Sequence, residues 1–361
     1  MSAARRVFRV ALVGCGRISH AHAGYLRQLP QVEFVGACDT SADIRERFTA
    51  RWQVPTYADV DELRSAAQPD VVHVVTPPST HAPLATELLH GGMHVLVEKP
   101  MAVDTAEADA MIAAAQRHGR HLTVDHNRWF DPVVREARAL LDSGAMGELV
   151  GVEVFQGASV GEADGSGPGG THWTSQLPGG MLFNLAPHPM YLLRGFTGEV
   201  EGIAVVSSND AHGRLRELRA IVQGRRALGG LTISLQANPF MNRITLLGTA
   251  MSAEVNLNNM TLIVRRTRKV PKLIGKVLPN VDEAMQLLRA TVVNGIEFVR
   301  GRQRYYPGMG IHFRLLYDAL SSGAPPPVSA VEGRDAVSLT QQIWERAGVS
   351  FTAPMGQAVQ A

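Results

Sequence analysis

A four-residue apolar run followed at once by two glycines constrains this chain more than any other feature. Val10–Val13 is short and apolar throughout, as a strand buried on both faces is. Gly14-Cys15-Gly16-Arg17-Ile18-Ser19 follows it directly, and a helix is predicted from Ser19 to about Gln28. In such a unit the first glycine permits a tight turn and the second lets another molecule approach the backbone. Free N–H groups at the helix start then face an anion. The third glycine of the usual pattern is Ser19 here, still small enough for a helix to pack on a strand.

The residues that follow alternate. Strands are predicted at Phe34–Cys38, Val71–Val75, Val95–Val97 and Leu122–Val124, and helices at Ala42–Trp52, Ala82–Leu89 and Thr105 to about His118. Ser41 and Thr80 are placed to cap two helices, and Gly91 and Gly119 to stop two. Strand and helix in turn mean a parallel, doubly wound α/β sheet. Beyond residue 126 the pattern changes. A helix at Pro132–Asp142 leads to an alternating run at Leu149–Phe155, a glycine-rich stretch from Gly157 to Gly170 and, after Gly179-Gly180, a helix at Leu185–Phe196. Short strand-like runs at 203–207, 218–222, 231–236, 244–247, 253–257 and 262–264 predict a mostly antiparallel sheet. Helical patches lie at Asp282–Arg300, Ile311–Ser321 and Glu332–Arg346. A chain of 361 residues is too long for one ordinary core. The expected organisation is an N-terminal Rossmann domain over 1–126 and a C-terminal α+β domain over 127–361. The latter carries a large, mostly antiparallel open sheet, and its C-terminal helix packs back on the first domain.

Asp39 closes the second strand, about twenty residues past the glycine turn, where a carboxylate accepts hydrogen bonds from adenosine ribose hydroxyls. Turn, strand and acid agree on a dinucleotide, NAD or NADP. The charge of Asp39 repels a 2′-phosphate and favours NAD, whereas Arg45 or Arg47 would favour the phosphate. The plain alternative is a glycine turn with a helix-capping aspartate and no ligand.

Two further motifs are more specific: Thr76-Pro77-Pro78-Ser79-Thr80-His81 and Glu98-Lys99-Pro100. With the glycine turn, they resemble the glucose–fructose oxidoreductase, inositol dehydrogenase and MocA family over nearly the whole chain. The resemblance implies a nicotinamide cofactor, a sugar, nucleotide-sugar or cyclitol substrate, and a homodimer or homotetramer built on the open sheet. It implies cofactor contacts from Gly14, Gly16, Arg17, Ile18, Asp39, Thr76, Pro77, His81, Glu98, Lys99 and Asn127. It also places Lys99 between nicotinamide and substrate, with a cis peptide before Pro100. Family members carry Gly-Gly, then Asp, three residues and His. This chain keeps Gly179-Gly180 and His188 but has Asn184 for the Asp, and Tyr191 where an acidic residue often follows the histidine. An Asn supplies only fixed hydrogen bonds where an Asp supplies charge.

The implied reaction is hydride transfer between nicotinamide and a carbinol. His188 is the expected general base, with an ordinary pKa near 6.5. Lys99 is expected to stabilise the developing alkoxide, and Asn184 to hold a neighbouring hydroxyl. Arg128 either pairs with an anionic substrate group or is a solvated linker arginine. Trp173, a candidate substrate contact, either covers the nicotinamide or packs the core, and His172 beside it is a weaker candidate. Two other functions compete. One is an NAD-assisted glycoside hydrolase or eliminase, in which the cofactor never exchanges. The other is a non-catalytic dinucleotide-binding regulatory protein, favoured by Asn184 and Tyr191 but opposed by Lys99 and His188.

Composition supplies exclusions. The chain is 45% hydrophobic and 19% charged, as soluble globular proteins are, and its net charge of +2 gives no electrostatic reason for a nucleic-acid partner. Residues 1–9 contain no signal-peptide core, and no apolar run is long enough to span a bilayer, so a cytoplasmic location is expected. Cys15 and Cys38 are read as small buried fillers in a reducing compartment, with no metal-ligand spacing and hence no metal site. One segment is left over. Arg265-Arg266-Thr267-Arg268-Lys269 is followed by Lys272, Lys276 and several aliphatic residues up to Leu278. It reads as a sheet-edge arm against a neighbouring subunit, or as a contact for an anionic membrane surface or a lipid-linked substrate.

Overall fold

The computed structural model describes residues 6–158, 174, 177–210, 215–300 and 306–349. Among these, one compact unit comprises 6–127 and 309–338, and the other 128–308 and 339–349.

The first unit holds a six-stranded sheet of β1 (Phe8–Val13), β2 (Val32–Cys38), β3 (Thr56–Tyr57), β4 (Val71–Val74), β5 (His94–Val97) and β6 (Leu122–Val124), in the order β3-β2-β1-β4-β5-β6. Every pairing is parallel. The apolar runs of β1, β4 and β5 are buried, which is why they carry no polar alternation. The strand order reverses between β1 and β4, and in open α/β sheets ligands bind beyond the strand carboxyl ends at that point.

Helices α1 (Ser19–Leu26), α2 (Ala42–Trp52), α3 (Val60–Ala67), α4 (His81–His90) and α5 (Thr105–His118) connect the strands. Ser41 caps α2 as expected, accepting from the Ile44 N–H. Asp104 accepts from the Glu107 N–H at 2.9 Å, and Glu107 in turn accepts from the Val103 N–H at 3.1 Å, a reciprocal cap on α5. Thr80 makes no cap, contrary to expectation. Its hydroxyl bonds back to Thr76 Oγ1 at 2.6 Å and Pro77 O at 2.8 Å, shaping the Pro78–Thr80 turn before α4.

The second unit contains β7 (Leu149–Gly157), β8 (Val200–Asn209), β9 (Leu215–Gly224), β10 (Leu228–Ser234), β11 (Met241–Gly248), β12 (Met251–Asn256) and β13 (Thr261–Arg266). Their order is β13-β12-β11-β7-β10-β9-β8, antiparallel except for the parallel β7–β10 pair. Preceding β7 is α6 (Pro132–Asp142); the helix expected at Leu185–Phe196 is α8 (Pro187–Thr197), and a short α7 (Met181–Leu185) comes just before it. Pro187 lacks the N–H that would join them. α8 packs on β7 and β10, covering one sheet face. Cross-strand register puts Val206, Ile221, Leu228 and Leu247 together on the other face, where all are exposed. Next comes α9 (Lys272–Val299), which starts ten residues earlier than Asp282 and runs through Pro279. α10 (Pro307–Ser322) and α11 (Ala330–Arg346) complete the described elements.

Candidate active site

The turn after β1 is shaped for close approach. Gly14 has φ +103°, and a Cβ there would lie 2.9 Å from the Val75 backbone, so only glycine fits. A Cβ on Gly16 would meet nothing within 4 Å, which leaves its face open. Asp39 is fixed by two backbone donors, Cys15 N–H at 2.8 Å and Ser41 N–H at 3.0 Å. Arg45 is tied to the carbonyls of Asp39 (2.7 Å) and Thr40 (3.0 Å). Both cysteines are buried, and burial first, then the Asp39 charge, pushes their thiols up to about 12. They are inert fillers.

The Thr76–His81 loop and the Glu98–Pro100 triplet are bound to each other. His81 is fully buried, with Nδ1 at 2.9 Å from Pro100 O and Nε2 at 2.8 Å from Thr76 O. Its ring therefore props the two loops. The Lys99–Pro100 peptide is cis.

Glu98 opens a buried network that the sequence reading did not find. Its Oε1 accepts from His22 Nε2 at 3.0 Å, and its Oε2 from the Lys99 N–H at 3.1 Å. His22 Nδ1 lies 3.0 Å from His73 Nδ1, and His73 Nε2 2.9 Å from the Tyr317 hydroxyl. Asp125 adjoins Glu98, accepts from His312 Nδ1 at 2.8 Å and from Asn127 Nδ2 at 3.2 Å. Burial opposes ionisation of Glu98, but His22 and Lys99 outweigh it and hold the carboxyl below its usual range. Asp125 goes the other way. Burial first, then the adjacent Glu98 charge, pushes its carboxyl well up. Burial lowers His73 far below its ordinary value and His312 to about 3. The network thus sets a carboxyl held down in pKa beside one pushed up, next to Lys99.

These features fit a dinucleotide. The glycine face is open, the Asp39 carboxylate is pre-positioned, and Asn127 Oδ1 is buried without a hydrogen-bond partner among the described residues. Asn127 cannot turn its amide away, because Nδ2 is engaged by Asp125.

In the second unit His188 lies in the first turn of α8, and its Nδ1 is 2.8 Å from the Tyr191 hydroxyl. That hydroxyl also accepts from the Arg128 N–H at 3.0 Å. Tyr191, which replaces the acid of the expected pattern, thus orients the histidine. Asn184 ends near α7's last turn, its amide 3.8 Å from Met181 Sδ. The Arg128 guanidinium pairs with buried Asp131 at 3.2 Å, so it is not a solvated linker side chain. A shallow, open depression is lined by Arg128, Gln156, His188, Asn242 and Arg243 among others. Trp173 and His172 fall outside the described residues, as does most of the glycine-rich stretch.

A family model described as "Oxidoreductase family, NAD-binding Rossmann fold" matches residues 8–126, and the "GFO/IDH/MocA C-terminal domain" matches 134–254. The chain belongs to the GFO/IDH/MocA oxidoreductase family. Among curated GFO/IDH/MocA relatives is a 1-carboxy-3-chloro-3,4-dihydroxycyclohexa-1,5-diene dehydrogenase of Comamonas testosteroni. It is 31% identical over 193 residues, 52% of this chain and 46% of the relative. The rhizopine catabolism protein MocA of Rhizobium meliloti is 27% identical over 192 residues, 53% and 58% of the two chains. The chain thus spans about half the length of these relatives. Solved structures align further. The WlbA dehydrogenase of Bordetella pertussis, in complex with NADH and UDP-GlcNAcA, matches with TM-score 0.75 at 21% identity, over 95% of this chain and 96% of the other. UDP-N-acetylglucosamine 3-dehydrogenase GnnA of Acidithiobacillus ferrooxidans gives 0.73 at 20%, over 94% and 97%. At these identities the likeness is one of fold, and it agrees with the expected Rossmann sheet and second, mostly antiparallel sheet.

Proposed function

We propose that the protein is an NAD-dependent oxidoreductase acting on a carbinol of a sugar, nucleotide sugar or cyclitol. The observation that carries this reading is the open glycine turn beside a pre-positioned Asp39 carboxylate, on the sheet that also presents Lys99 after β5. The names of the relatives, dehydrogenases of a cyclic diol and of a nucleotide sugar, support the substrate class. Arg45, spent on backbone carbonyls, supports NAD over NADP.

The cofactor contacts proposed are Gly14, Gly16, Arg17, Ile18, Asp39, Thr76, Pro77, Lys99 and Asn127, with His81 and Glu98 acting as props for the loops that carry them. A bound nicotinamide supplies hydride acceptance from the carbinol carbon. Lys99 hydrogen-bonds the developing alkoxide, and the buried Glu98 charge keeps its own end of that electrostatic arrangement fixed before reaction. His188 takes the hydroxyl proton, oriented through Tyr191. Arg128, Asn184 and Trp173 are the proposed substrate contacts. Arg128 and Arg243 favour a substrate with a carboxylate or diphosphate. The same proposal assigns cofactor binding to residues 1–126 and substrate binding and oligomerisation to 127–361, with a homodimer or homotetramer formed through the exposed sheet face. Buried, unpaired cysteines support a reducing, cytoplasmic setting.

Titration calorimetry with NAD and NADH, then absorbance of reduced nicotinamide across sugars, nucleotide sugars and cyclitols, tests this. Lys99→Ala and His188→Ala are each expected to abolish turnover while cofactor binding persists. Failure to bind either pyridine nucleotide refutes the reading, and near-normal turnover in His188→Ala refutes the base. Release of a sugar product without net change in the cofactor points instead to NAD-assisted glycoside cleavage.

A further inference from the structure

The helix α9 is amphipathic in an unusual sense: its polar face is the one docked on its own unit. Gln286 pairs with both the N–H and the carbonyl of Val264 at 2.9 and 3.0 Å, and Glu283 accepts two hydrogen bonds from Arg265 at 2.7 and 2.9 Å. Asn294 bonds the carbonyls of Asn259 and Met260. These residues hold the helix along β13 and point one way.

The apolar side points outward. Ile274, Val277, Val281, Met285, Leu288 and Val292 recur at steps of three and four, and each is 50–60% exposed. The series continues through Ile296 to Val299. At about 100° per residue they share one face, some 38 Å long at about 1.5 Å per residue. The charge alongside has one sign. The carboxylates of residues 265–300 are Asp282, Glu283 and Glu297, and each is paired, to Arg268, Arg265 and Arg300. Arg266, Lys269, Lys272, Lys276 and Arg289 have no ion pair among the described residues. No described helix is long and apolar enough to cross a membrane.

We infer that α9 and the basic loop before it dock on an anionic lipid surface, with the helix lying in the interface. The stripe enters the boundary between headgroups and acyl chains, while Arg289 beside it and Arg266 and Lys269 of the preceding segment meet lipid phosphates. A second copy of the chain is the competing occupant. Pairing α9 with itself offers these cations no free carboxylate, because Asp282, Glu283 and Glu297 are already paired, whereas an anionic bilayer complements both the stripe and the charge. This inference stands apart from the catalytic reading, because its test measures no turnover.

The test is co-sedimentation of the full chain with phosphatidylcholine vesicles, with and without phosphatidylglycerol. Binding is expected with the anionic vesicles, weakening as salt is raised. Lys269→Gln with Arg289→Gln should lower the partition coefficient about thirty-fold. Met285→Gln with Leu288→Gln should lower it on the order of a hundred-fold. Far-ultraviolet circular dichroism checks that the variants keep their helix content. Absence of wild-type binding at low salt overturns the inference, as does binding that ignores both pairs of substitutions. If the wild type stays off vesicles and Met285→Gln with Leu288→Gln lowers its molar mass in sedimentation equilibrium, the face belongs to a second copy.

Discussion

Tyr191 occupies the position, three after His188, at which an acidic residue is expected. Its hydroxyl, held by the Arg128 N–H, touches His188 and sets the ring's direction. Replacing it by Phe removes that contact and little volume. A net hydrogen bond is worth about 1 kcal/mol, so Tyr191→Phe should lower kcat between a few-fold and about ten-fold, with the NADH dissociation constant unchanged by calorimetry. Gly14→Ala is a different kind of change. The added methyl meets the Val75 backbone, and φ is in the region that L residues avoid. Nucleotide binding should be lost, and the melting temperature should fall in the same preparation. The glycine turn and Asp39 were legible because both obey a local spacing rule. The His22–His73–Glu98–Asp125–His312 network was not, because its members are scattered along the chain. His73 in particular stands among valines in a run that reads only as a buried strand. Tyr191 reads in the sequence only as a departure from the acidic pattern, and its contact with His188 is visible only in the geometry.

At the scale of elements, strands and helices with strong periodicity were readable, and those whose signal was diluted were not. α3 has only eight residues, several of them charged, and β3 only two, so neither rises above its surroundings in the sequence. α9 extends past its expected start because proline usually ends a helix. Pro279 is tolerated here on an exposed stretch, where water can satisfy the carbonyl released by the missing N–H. The α5 cap offers a quantitative check. Asp104→Ala removes the acceptor of the Glu107 N–H and should cost about 1 kcal/mol, or about 2–4 °C in Tm for a domain of this size. Thr80→Val, by contrast, leaves α4 uncapped as before and should act on the Thr76–Pro77 turn, weakening cofactor affinity more than stability. Parallel thermal melts and NADH titrations separate the two effects.

For the molecule as a whole, buried imidazoles set the response to acid. His312 is lowered to about 3 and His73 also falls far below its ordinary range, both chiefly by burial. Unfolded histidine takes its proton near pH 6.5, so below that pH the unfolded chain binds protons the folded one refuses. The contribution of these histidines is therefore complete above about pH 6.5 and declines as the pH falls from there toward about 3 for His312, while Asp125, pushed up by burial, acts in the opposite sense. Each such histidine steepens the decline by about 1.4 kcal/mol per pH unit. In urea melts across this range, His312→Asn should show a shallower dependence than the wild type. An unchanged slope would mean that His312 already accepts a proton in the native state.

The partnership between His73 and Tyr317 also bears on how the polypeptide is made. The two are 244 positions apart, yet both are wholly enclosed within the nucleotide-binding unit. While the ribosome is still producing the intervening stretch, β4 has emerged with an imidazole whose partner has not yet been translated. The amino-terminal half must wait in an unfinished form until α10 arrives, a longer exposure to chaperones and proteases than a self-contained module would face.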